Sequence, residues 1–67
     1  MPYDDLSFEY GKDVYLEVDT QINGVQTYNL DSFELMESGV FAEHATSGVA
    51  YRMFIPWCRV LQIWQAQ

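Results

Sequence analysis

Few side chains in this 67-residue chain can do chemistry. Cys58 is its only cysteine and His44 its only histidine. A thiol nucleophile needs an imidazole within hydrogen-bond reach and a third group to orient that ring. No catalytic motif surrounds either residue, so neither catalysis nor a catalytic residue is expected. One histidine and one cysteine also fall short of a zinc site. Among the acids, Asp4-Asp5 suits helix capping and solubility, while Asp13 and Asp19 fall on the wet side of a strand. Calcium asks for about six or more oxygens at defined loop positions. No metal and no cofactor is expected.

A third constellation has binding chemistry. Arg52, Arg59, Trp57 and the tyrosines, Tyr28 among them, combine cations with flat aromatic faces. Single-stranded nucleic acid is held by that combination, with bases stacked on rings and phosphates met by cations. The alternative is that Trp57 and Tyr51 pack in a core or an interface and Arg59 pairs with an acid.

Charge narrows the choice. The net charge is −7, and all ten acids lie between Asp4 and Glu43, where Lys12 is the only base. Residues 44–67 carry Arg52 and Arg59 and no acid. A protein that coats phosphates is built the other way round, so any nucleic acid must meet a local patch near the arginines.

The residues 1–67 make one domain. A chain of this size buries only about 60% of its unfolded surface, and such domains are usually reinforced by disulfides, metals or oligomerisation. A single cysteine cannot bridge within the chain, and the metal ligands are lacking, which leaves oligomerisation. Apolar residues at 49% and aromatics at 16% favour it. No apolar run approaches the ~18 residues of a membrane span, so no membrane partner is expected. An unpaired thiol without a basic and apolar leader points to a cytoplasmic location.

Residues 1–10 form an acidic lead-in, with Asp4 or Asp5 available to cap a short helical turn. Val14, Leu16, Val18, Thr20 and Ile22 then alternate with Tyr15, Glu17, Asp19 and Gln21, the period of a half-buried strand. Asn23-Gly24 predicts a type I′ hairpin turn, and residues 25–30 the returning strand. Residues 31–43 carry two signals. Asp31-x-x-Glu34 and Gly39 suit a capped helix, whereas the apolar positions from Phe33 and Leu35 onward suit a strand, which topology favours. Residues 43–48 read as a polar loop.

Residues 49–55 and 60–64 are the closing strands. Pro56 cannot donate to a ladder, so the first must stop or bend at Ile55, leaving one tight corner between them. In the last strand Val60, Gln62 and Trp64 alternate with Leu61, Ile63 and Gln65, placing large apolar groups on both faces. An apolar outer face implies cover by another chain. The interface expected between copies therefore comprises Tyr51, Met53, Ile55, Val60, Gln62 and Trp64. The alternative is that Trp64 lids one end of the fold.

The segment GKDVYLEV, residues 11–18, resembles the opening G-K-x-V-x-V-x-L strand of the Sm/LSm family. The apolar frame of that family's second motif, I-R-G-x-x-V-x-x-I, matches at Ile55, Val60 and Ile63, with Pro56 and Trp57 standing where the family has Arg-Gly. Of its nucleotide-pocket pattern, Asn29 carries over. The segments DDLSFEYG, residues 4–11, and FIP followed by Val60 are similar to the ends of an SH3 domain. Both resemblances imply an all-β, five-stranded SH3/Sm-like small barrel, here with a short N-terminal helical turn.

The Sm-like resemblance further implies a cyclic homo-oligomer that binds single-stranded RNA or DNA as a non-catalytic processing accessory. Asn29, by the resemblance, and Tyr28, Arg52, Trp57 and Arg59, by their cationic and aromatic chemistry, would be the contacting residues. The alternative is a structural or protein-interaction module of the same shape that binds no nucleic acid.

Overall fold

Strand β1 (Val14–Asp19) follows directly from alternation. Val14, Leu16 and Val18 are buried, while Tyr15, Glu17 and Asp19 turn to the opposite face. In the computed structural model, which describes residues 6–66, β1 is the centre of an antiparallel sheet with β2 (Val25–Leu30) and β6 (Val60–Gln65) as its edges. A second antiparallel sheet has β4 (Gly39–Thr46) between β3 (Ser32–Leu35) and β5 (Val49–Pro56).

The chain passes between the sheets twice. Asp31 alone separates β2 from β3, and its N–H donates to the Glu43 carbonyl at 2.8 Å. A 3-10 turn, Trp57–Arg59, leads from β5 to β6. The strand thus reaches Pro56 itself, one residue beyond expectation, before the corner.

The two sheets share one core of Val14, Leu16, Val18, Leu30, Val40, Ala42, Ile55, Val60 and Ile63. Leu6 and Phe8 pack against it, with the Phe8 ring edge-on to Phe33 at 5.2 Å. Reciprocal bonds fasten this segment: Glu9 N–H donates to Gln65 Oε1 at 2.8 Å, and Gln65 Nε2 donates to the Glu9 carbonyl at 2.7 Å.

The all-β class holds, but among the described residues the strands are six in two sheets and their pairing forms no closed barrel. Residues 6–9 are not helical and Tyr10 begins a turn; residues 1–5 of the expected helical lead-in lie outside the described residues. Residues 32–35 and 39–46 are strands, so the capping-box signal loses to sheet packing. Gly39 is no helix cap but a strand residue opposite Pro56. The supposed loop at 43–48 is strand up to Thr46, and only Ser47 and Gly48 turn. Both have positive φ, 53° and 78°, as a type I′ turn needs.

At Asn23-Gly24 the hairpin is real but its loop is wider. Gln21, with φ 67°, and Gly24, with φ 73°, are the left-handed residues. Thr20 Oγ1 accepts from Asn23 N–H at 2.8 Å, and Asp19 Oδ1 from Gln21 N–H at 2.9 Å. Side chains that bond to their own loop replace the two-residue turn, and Ile22 is left 88% exposed. In β6, Glu17 pairs with Gln62 and Val18 with Val60, which leaves Leu61 as a bulge. The extra residue brings Val60 and Ile63 into the same core rather than onto opposite faces.

Candidate functional site

The cations are placed by contacts within the chain. Arg52 Nε donates to Glu43 Oε2 at 2.9 Å across the β4–β5 ladder, on the outer face of the second sheet. Arg59 Nε donates to the Asp19 carbonyl at 3.0 Å, at the C-terminal end of β1. Lys12 Nζ lies 2.9 Å from Glu9 Oε2. Trp57, half-buried against the core, donates from Nε1 to the Met36 carbonyl at 2.8 Å.

Asn29 is exposed and opposite Tyr15, near the start of β1. Four residues of strand separate that level from Asp19 and Arg59, about 13 Å at the usual rise. Tyr28 points to the other side of β2, its ring 4.8 Å from His44. The five residues expected to meet nucleic acid are therefore dispersed over two sheets and a corner.

Asn29 does line a cleft of about 590 Å³, beside Phe8, Tyr10 and Lys12. Tyr10 is fully exposed there, and Glu9, Asp13 and Asp31 line the same walls. Three carboxylates against one ion-paired ammonium make this cleft unfavourable for phosphate.

Of the expected interface, Ile55 and Val60 are committed to the core, and Met53 is half-buried against it. Tyr51 is 48% exposed with its ring stacked on His44 at 5.4 Å, and Gln62 is exposed. Trp64 does not lid the fold: it stacks on Tyr15 across the β1–β6 ladder, with ring centroids 5.7 Å apart.

Exposed aromatic residues not singled out from sequence lie on a different face. Phe41 and Phe54 are register partners on the outer face of the second sheet, each 43% exposed. Their signal was present in the period-two patterns Val40-Phe41-Ala42 and Met53-Phe54-Ile55, once Val40 and Ile55 are assigned to the core.

His44 sits between Tyr28 and Tyr51, five residues along β4 from the Gly39–Pro56 pair that precedes Cys58. Strand rise separates those levels by about 17 Å. No group of His, Cys, Asp and Glu among the described residues is arranged to hold a metal ion, and no helix among them is long and apolar enough to cross a membrane. No family model, curated protein or solved structure matches the chain.

Proposed function

We propose that this chain is an Sm-like small-barrel module that works by self-assembly and protein contact rather than by catalysis. Counting β2 and β3 as one strand bent at Asp31 gives five strands, in keeping with that architecture. The observation that carries the reading is the state of the two last strands. Among the described residues β5 pairs only with β4, and β6 only with β1, so each keeps one open edge. The two-residue loop makes Thr46 and Val49 a hydrogen-bonded pair, and alternation then turns the N–H and C=O groups of Ala50, Arg52 and Phe54 outward. Open edges invite strand addition. Exposed Tyr51, Phe54 and Leu61 flank them with apolar area that a neighbour would cover.

Pairing β5 of one copy with β6 of the next is a heterologous contact, which closes into a ring when the rotation permits. Light scattering on the eluting protein tests this. A mass well above the 7.8 kDa monomer supports it, and a monomer at high concentration refutes it.

A second reading, binding of single-stranded RNA or DNA, draws on Asn29 in its cleft with Phe8 and Tyr10. It is the weaker because each arginine already has a partner within the chain and the chain is acidic. Titration with labelled single strands at low salt decides: tight binding that falls steeply with salt favours it, and no binding removes it.

A further inference from the structure

The outer face of the first sheet carries a second arrangement, separate from the strand edges. Tyr15 and Trp64 stack there with 25° between their ring planes, both half-buried. Asn29 flanks Tyr15 on β2. Two residues along β1, on the same face, Glu17 lies between Thr27 and Gln62, both uncharged, and has no ion pair among the described residues. Asp13 and Asp19 extend the carboxylate row at either end of β1, and both are exposed. The cations nearby are held elsewhere: Lys12 by Glu9, and Arg59 by the Asp19 carbonyl at the far end of the strand.

We propose that this face binds an arginine-bearing segment of a partner protein, one guanidinium lying on the Tyr15–Trp64 pair and bonding to Glu17. The proposal rests on the protein-contact reading and names the chemistry of the partner. Aromatic faces are electronegative and attract cations. A planar guanidinium stacks on a ring and presents N–H groups to a carboxylate at once, which an ammonium does not. Residues i and i+2 on a strand are about 7 Å apart, a span one guanidinium bridges with its stem over the rings. A phosphate backbone is repelled by the same three carboxylates, so the occupant is protein.

The test titrates the full chain with short repeats of arginine, lysine and glutamate, read by calorimetry and tryptophan fluorescence. The arginine peptide should bind, the lysine peptide should bind several-fold more weakly, and the glutamate peptide should not bind. Glu17→Gln, nearly isosteric, should weaken the arginine peptide roughly fivefold, as should Trp64→Leu. Glu37→Gln, the same charge change on the exposed turn after β3, should leave affinity unaltered. Equal affinity for lysine and arginine, an equal loss in Glu37→Gln, or no binding would overturn the proposal. Light scattering on the same samples separates the two ideas: assembly without peptide binding sinks only this one, and peptide binding by a monomer sinks only the ring.

Discussion

Gly39 lies opposite Pro56 across the β4–β5 ladder, so close that a Cβ on Gly39 would sit 2.8 Å from Pro56 Cα and overlap the Ile55 carbonyl oxygen. Backbone presses on backbone just before the chain turns through Trp57–Arg59 into β6. The Trp57 indole is tied to the Met36 carbonyl, in the turn that leads into Gly39. The corner and the β3–β4 turn are therefore one packed unit, and it fixes where β6 begins.

Gly39→Ala should cost about 1–3 kcal/mol, the range for overpacking. Urea denaturation measures it, and an unchanged midpoint would show that β5 is not held this close.

Trp57→Phe keeps most of the ring and removes the N–H to Met36, with an expected loss of about 1 kcal/mol or more. Undiminished stability in the same assay would remove the indole from its place in the corner.

The bulge makes neighbouring residues unequal. Measured at dilutions where the chain is monomeric, Ile63→Ala should cost about 2–5 kcal/mol, as for a core aliphatic, while Leu61→Ala, half exposed in the single chain, should stay within about 0.5 kcal/mol. Similar costs at both sites would restore the uninterrupted alternation and contradict the bulge.

Ser47 holds a positive φ without being glycine. Asn-Gly is the favoured pair for this turn, so Ser47→Asn should stabilise the hairpin by a few tenths of a kcal/mol. A lower melting temperature would mean that the turn is of another type.

The sequence disclosed what depends on local period and less of what depends on contacts. Alternation from Val14 to Val18 located β1 and its inner face, and Pro56 located the corner. Asn23-Gly24 marked a hairpin, yet the bonds from Thr20 and Asp19 that widen its loop are choices among local alternatives. Ser47-Gly48 carried the true two-residue turn with a weaker signature. The bulge at Leu61 arises from how β6 meets β1, and no pattern within β6 announces it. Arg59 and Trp57 looked available for a ligand because their acceptors, the carbonyls of Asp19 and Met36, are backbone atoms, and any residue type supplies those.

Self-assembly through open strand edges is tested most directly by the sedimentation mass of the native chain against Arg52→Pro. Proline at an outward N–H of an edge strand keeps the ladder to β4 but blocks a neighbouring strand. The native chain should sediment as an assembly of several copies and the variant as a folded 7.8 kDa monomer with unchanged far-ultraviolet dichroism. A native chain that sediments as a monomer from micromolar to near-millimolar concentration would contradict self-assembly.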